Sequence, residues 1–422
     1  MDESTMEERL MTSRSSPKWL VGVREDYERL FVREWSPYLG AILLVVITSA
    51  LVASGLFWGV YGGLKLWGDW FNNLIGLGPA LGIKPQLDSP LLHRISLMDI
   101  SLVIGAFCAA LLARQFRINR PPKLELVTGA VGGMLMGIGA SLAGGCTTGG
   151  FFTPLTFASP AGWAMWAGLL AGAFLGLKAL LWVLENISWG TAPPAVHTDS
   201  ASRRYYPLLG LIVLALVIAW AVIWYGAEES KLVNRGIIIL CGFALGFVLH
   251  RSRFCFSRVF REPFMTGEGT MTKAMILALA LGIPVTSVLL QKETVDPYLA
   301  IPATFWLGSV LGGFIFGIGM VFAGGCASGS LWRMGEGHLK LWVAVFFFGW
   351  AGSIFSAVVK RWDLLTREMS LDLVEISKVG KQVFLPEVFG GWGWLYLLSF
   401  ALLLVWYLLV RYNEETEKFT AL

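Results

Sequence analysis

The stretch VGGMLMGIGASLAGGCTTGG, Val131 to Gly150, returns 180 residues later as LGGFIFGIGMVFAGGCASGS, Leu311 to Ser330. Ten of the twenty aligned positions are identical, and nine of those ten are Gly, Ala or Cys. What the chain repeats is closeness of approach and one thiol, while bulk varies freely. The rows Gly133 to Gly137 and Gly313 to Gly317 are small-xxx-small patterns that let helices pack closely in lipid. The Gly-Gly pair before each cysteine is different, because Gly-Gly followed by Cys-x-x-Gly strongly lowers helix propensity. A break of that kind inside a membrane is tolerated only where it is buried in protein or lines a cavity.

The surroundings are those of a membrane protein. Of 422 residues, 55% are hydrophobic and 15% charged, more apolar material than one soluble core of this length hides. Ten runs have the roughly 20 apolar residues a spanning helix needs: about 38–64, 96–114, 124–146, 160–184, 206–226, 234–254, 271–290, 302–326, 339–359 and 391–410. The sequence therefore predicts an all-α, polytopic integral membrane protein. An even count puts both termini on one side, and that side collects 21 of the 33 Lys and Arg, which places the termini in the cytoplasm. Residues 1–37 read as a polar cytoplasmic leader without the apolar core of a cleaved signal peptide, and 412–422 as a cytoplasmic tail.

Applied to the helices, the 180-residue offset divides the membrane part into a first repeat, 38–226, and a second, 227–411. Five spans in each make the second inverted relative to the first, the plan of many secondary transporters. Trp67 to Lys84, aromatic and poor in charge, reads as a surface-lying or re-entrant segment, and the offset sets Ile75 there opposite Cys255. No acidic residue is read squarely inside a span, which leans towards passage without a proton relay.

A broken helix offers free backbone N–H groups and the positive end of the next helical segment, and together these can hold an anion. Cys146 and Cys326, following Gly145 and Gly325, are the leading substrate contacts, since a thiol is a weak donor with a polarizable sulfur suited to a large soft anion. Thr147 and Thr148 in one half and Ser328 in the other add hydroxyls. Cys255 lies among His250, Arg251, Arg253, Arg258 and Arg261, cations that lower a thiol's pKa and draw anions. Arg333, at the mouth beyond the second break, is placed to receive or release an anion. Cys108 and Cys241 lie in apolar helical runs and read as packing residues.

Several classes are excluded. Five cysteines without CxxC spacing or nearby histidines suggest neither a disulfide framework nor a metal site. The net charge of +4 is spread over short loops and marks topology, not a nucleic-acid partner. No GxxxxGK[ST] motif is present, and nothing indicates an enzyme or a cofactor.

At GIGASLAGGC ending at Cys146, GIGMVFAGGC ending at Cys326, and RFCFSRVFREPFMTGEGTMTKA around Cys255, the chain resembles the YeeE/YedE family of bacterial membrane proteins, the sulphur transport family. The resemblance covers about residues 38–411 and is greatest to the longer YedE-type branch associated with selenium metabolism. It implies an inner-membrane transporter for thiosulfate or a related inorganic sulfur anion, passed along Cys146, Cys255 and Cys326. A selenium species such as selenite or selenide is the alternative cargo, and a membrane sulfur-relay or redox protein is the alternative of another class. A small cytosolic sulfur-relay protein is the partner that the resemblance suggests, beside the anion and the membrane lipid.

Overall fold

A computed structural model of the chain describes residues 18–187, 203–226, 230–293, 295–362, 364, 368–369 and 375–420. Within them a short helix α1, Lys18–Tyr27, and a π-helical turn, Glu28–Val32, precede the membrane part, so the end of the polar leader is helical. The first half then runs α2 (Pro37–Ala53), α3 (Tyr61–Leu74), α4 (Arg94–Leu112), α5 (Lys123–Ala143), a π-helical turn Thr147–Phe152 continuing into α6 (Thr153–Thr156), α7 (Ala161–Asn186) and α8 (Tyr206–Tyr225). The second runs α9 (Ser230–Arg251), α10 (Phe256–Met265), α11 (Thr270–Gln291), α12 (Leu307–Ala323), α13 (Ala327–Glu336), α14 (Leu339–Arg361), three two- or three-residue strands, α15 (Leu385–Val388) and α16 (Trp392–Thr416). Among the described residues nine helical stretches are long and apolar enough to cross a membrane, or ten if the segments Gly22–Val32 and Pro37–Ala53, bent by 77°, form one. The chain is an all-α, multi-pass membrane protein.

One expected span is corrected. The run 38–64 does not continue as a single helix: α2 ends at Ala53, Gly55 takes a left-handed φ of 72°, and α3 begins at Tyr61. Ser54-Gly55 is a helix stop that continuous hydrophobicity conceals. Nor does the part of Trp67 to Lys84 that forms α3 lie on the surface. Its Gly68 approaches so closely that a Cβ there would stand 2.0 Å from the Gly349 carbonyl oxygen. Asn72 Nδ2 donates to Ser353 Oγ at 2.8 Å and Trp350 Nε1 to Asn72 Oδ1 at 3.0 Å, both onto α14.

Four helices make the centre: α5, α7, α12 and α14. A Cβ on Gly132 would lie 2.3 Å from Ala323 N, and one on Gly139 would lie 2.6 Å from Gly312 O, so α5 and α12 pass each other antiparallel at backbone distance. Gly133 meets Ala344 and Gly137 meets Phe348, and likewise Gly168 meets Val310 and Gly172 meets Phe314, so α5 with α14 and α7 with α12 run parallel. This is what the glycine rows do: without side chains in the way, dispersion and close packing hold helices together where lipid offers no hydrophobic drive. Around the centre the contacts of the halves answer one another: α4 packs on α9 as α11 does on α2, and α3 on α14 as α10 does on α7.

Candidate functional site

Both Gly-Gly-Cys motifs break their helix. α5 ends at Ala143 and α12 at Ala323, each followed by a left-handed glycine, Gly144 at φ 71° and Gly324 at φ 82°. That conformation costs glycine nothing and other L-residues strain. Cys146 and Cys326 come next but one in extended backbone, at φ/ψ of −81°/−170° and −78°/−178°, and become the first caps of the turn Thr147–Phe152 and of α13. In each, the cysteine carbonyl accepts the amide four residues on, Gly150 N and Ser330 N, at 2.7 Å. The local backbone is the same in both halves; the segment beyond the cysteine is π-wound in the first and α-helical in the second. Gly145 lies against Gly149 and Gly150, and Gly325 against Ser330, where a Cβ would crowd the returning turn.

Cys255 occupies the same kind of position, capping α10 in extended backbone at φ/ψ −147°/123°. All three cysteines singled out by the sequence thus stand at starts of short helical segments, and all three are fully buried. Cys255 and Cys326 lie side by side within hydrogen-bonding reach. Gly329 makes this possible: a Cβ there would be 2.6 Å from Cys255 Sγ and 3.1 Å from Cys326 Sγ. The Gly329 amide donates to Cys326 Sγ at 3.3 Å, and Ser328 Oγ is 3.6 Å from that sulfur. In the first half Cys146 Sγ is 3.0 Å from Thr148 Oγ1. There Gly149 meets only the Cα of Gly59, at 4.0 Å.

The counterpart of Cys255 is therefore at Gly59 and Val60, where α3 is capped, and not at Ile75, which ends α3 and is 45% exposed. The first residues of α3 and α10 are 195 positions apart, so the 180-residue offset does not hold across that loop.

Some of the buried polar atoms without a partner lie on the segments next to these thiols. Among the described residues, Thr147 Oγ1, Ser330 Oγ, and the indole N–H groups of Trp58 and Trp332 are buried without a hydrogen-bond partner. Such groups are rare because each costs desolvation. Trp58 contacts both Phe152 and Phe256, which touch each other edge to face at 5.9 Å and join the segment after Cys146 to the one after Cys255.

Arg333 lies at the second break, its Nη1 donating to Gly324 O at 3.0 Å and its guanidinium 5.1 Å from the Trp332 ring. Arg261 and Lys340 are close enough to act on it electrostatically. Beyond Trp332 a network closes the end: Arg253 Nη1 bonds Glu336 Oε1 at 2.7 Å, its Nη2 bonds Gln115 Oε1 at 2.9 Å, and the same Glu336 faces His250 and His338. Arg258 pairs with Glu262 within α10, and its Nη1 donates to Arg253 O at 3.3 Å. Cys108 is buried with its S–H on Gly210 O at 3.2 Å, and Cys241 is half-buried on α9.

The sequence reading missed Asp99. It lies inside α4, fully buried, and among the described residues neither carboxylate oxygen has a partner. Its place five residues past the helix start makes it look terminal in sequence, although the periodic burial of Ser96, Asp99 and Leu102 marks an inward face.

Compared with known proteins, the chain matches the family model described as sulphur transport over residues 6–175 and 251–421, one match in each half. The chain belongs to the sulphur transport family. It is a membrane transport protein and not an enzyme. A protein named probable transporter YedE from Escherichia coli (strain K12) is 28% identical over 394 residues, covering 89% of this chain and 92% of the relative. The thiosulfate transporter TsuA of the same organism is 38% identical over 122 residues, 29% of this chain and 33% of the relative. TsuA of Spirochaeta thermophila is 40% identical over 111 residues, 26% of this chain and 33% of the relative.

Proposed function

We propose that this family member imports thiosulfate, or a closely similar soft sulfur anion, across the bacterial inner membrane through a path formed where the two broken helices turn back. The observation that carries the proposal is the placement of three buried thiols at the starts of short helical segments, two of which also bear hydroxyls, Thr147 and Ser330, without a partner among the described residues. Helix starts and amides draw negative charge; thiols hold a polarizable sulfur weakly, and a conducting site must release what it binds. The two halves are taken as inverted copies, which the antiparallel passage of α5 and α12 supports, with Cys146 facing one membrane side and Cys255 with Cys326 the other. Termini in the cytoplasm put Arg253, Glu336 and His338 at the exit, where a small sulfur-relay protein would receive the product.

The test is uptake of radiolabelled thiosulfate by cells lacking other thiosulfate importers, with and without excess selenite. Import that selenite competes with poorly supports the proposal. No import, or import abolished by low selenite, turns the cargo towards selenium species or ends the transport of thiosulfate as an explanation.

The contact between Cys255 and Cys326 favours a second reading, in which paired thiols relay sulfur covalently. Cys255→Ser and Cys326→Ser separate the two, because serine keeps a donor and loses the sulfur. Retained uptake in both variants goes against covalent relay.

A further inference from the structure

Asp99 is a buried charge-bearing group for which the thiol path has no use. Within α4 it is fully buried by protein. Both oxygens lack a partner among the described residues. α3 presses against it at Gly63, where a Cβ would lie 2.1 Å from Asp99 Oδ2, leaving no room for a compensating side chain from that direction. Cys146 is near enough for the two groups to act on each other electrostatically.

The other charged and titratable groups on the elements packed against α4 are committed elsewhere or lie towards its ends. From α3, Lys65 pairs with Asp69 at 2.7 Å and the Tyr61 hydroxyl lies 2.6 Å from Ser141 Oγ. On α9, Arg235 reaches Leu92 O, Cys241 is a half-buried thiol, and His250 and Arg251 stand at the far end. On α13, Arg333 is turned to Gly324 O and Glu336 to Arg253. α8 carries no Asp, Glu, Lys, Arg or His, and in the turn Glu28–Val32, Glu28 faces Arg24. An ionised carboxylate at Asp99 would be a buried charge without a partner among the described residues.

The contrast with the second break gives this acid a task. Arg261 and Arg333 are close enough to Cys255 to act on it electrostatically, and Lys340 to both arginines, whereas the 180-residue offset puts Thr153 and Pro160 where Arg333 and Lys340 stand. Neither of these two positions in the first half is basic.

We propose that Asp99 carries the proton that accompanies the anion, making the protein a proton–anion symporter. The inference rests on the transport reading given above. An anion passes Cys146 only while Asp99 is a neutral acid, since a carboxylate there would repel it. Once the anion has moved to the cationic second break, Asp99–COOH gives its proton to water on the exit side. The carboxylate then regains one from water on the entry side. One proton moves per cycle, and no bond to the anion is made or broken.

The test uses purified protein in lipid vesicles holding a pH-sensitive dye, with the membrane potential clamped by potassium and valinomycin and labelled thiosulfate added outside. The native protein is expected to acidify the interior in step with uptake, and Asp99→Asn to reduce protons moved per anion at least tenfold. Uptake without acidification overturns the coupling and leaves the transport reading intact. No uptake by native protein overturns both. Acidification by the Asn variant equal to native overturns the role of Asp99. Should that variant fail to assemble, difference infrared spectra of native protein decide: a protonated-carboxyl band shifted by thiosulfate is expected, and its absence overturns the proposal.

Discussion

Cys146 has a threonine hydroxyl at 3.0 Å and a buried acid nearby; Cys326 has a backbone amide at 3.3 Å and beside it a second thiol, Cys255, on which Arg261 and Arg333 act electrostatically. The backbones that hold the two sulfurs nevertheless agree closely, in φ and in ψ alike. A duplicated loop has kept its shape because Gly-Gly-Cys dictates a left-handed turn and then an extended cap, and its chemistry has diverged because the loop that meets it differs. In one half that loop delivers Gly59 and Val60, and in the other Cys255. The two breaks therefore share a backbone and hold their sulfurs in different surroundings.

The sharpest way to break this comparison is at the paired glycines. Gly329→Ala places a Cβ 2.6 Å from Cys255 Sγ, whereas Gly149→Ala meets nothing nearer than 4.0 Å. Overpacking of the first kind costs about 1–3 kcal/mol, so thiosulfate uptake should fall by about tenfold or more for Gly329→Ala and stay within about twofold for Gly149→Ala. Equal losses would mean the two breaks are not chemically distinct. Next in size, Cys326→Ala should lower uptake more than Cys146→Ala, since it removes a sulfur and the partner of Cys255. Initial rates normalised to protein in the membrane give the ratio.

A smaller effect is expected from Arg333→Gln, which loses a charge-assisted bond to Gly324 O and a cation near the second break. Charged hydrogen bonds are worth about 1.5–3 kcal/mol, but with Arg261 and Lys340 still present the half-saturating thiosulfate concentration should rise only several-fold while maximal rate holds. An unchanged value would remove Arg333 from the path. The smallest is Cys108→Ala: its S–H bond to Gly210 O is weak, and the variant should lose no uptake and only a few degrees of thermal stability, measured in detergent.

Much of this was legible in the sequence because glycine signals are local. Gly144-Gly145 and Gly324-Gly325 lower helix propensity whatever surrounds them, though only the structure shows the break, and the rows from Gly132 and Gly312 announce close helices. The pairing of Cys255 with Cys326 was not legible. It depends on a loop whose length differs between halves, so a constant offset pointed to Ile75, while Tyr61 and Phe256 in fact begin equivalent helices. The stop at Ser54-Gly55 was hidden by apolar residues on both sides. Asp99 was hidden by its place near a helix start, where a carboxylate ordinarily reaches water; only the packing of α3 and α9 over it takes that water away.

The central claim is that Cys146, Cys255 and Cys326 line one anion path while Cys108 and Cys241 do not. The most direct measurement is alkylation of each cysteine in membrane vesicles, read out by mass spectrometry, with and without saturating thiosulfate. The account predicts that thiosulfate slows modification of Cys146, Cys255 and Cys326 and leaves Cys108 and Cys241 unaffected. Protection of none of the three, or of all five alike, would contradict it.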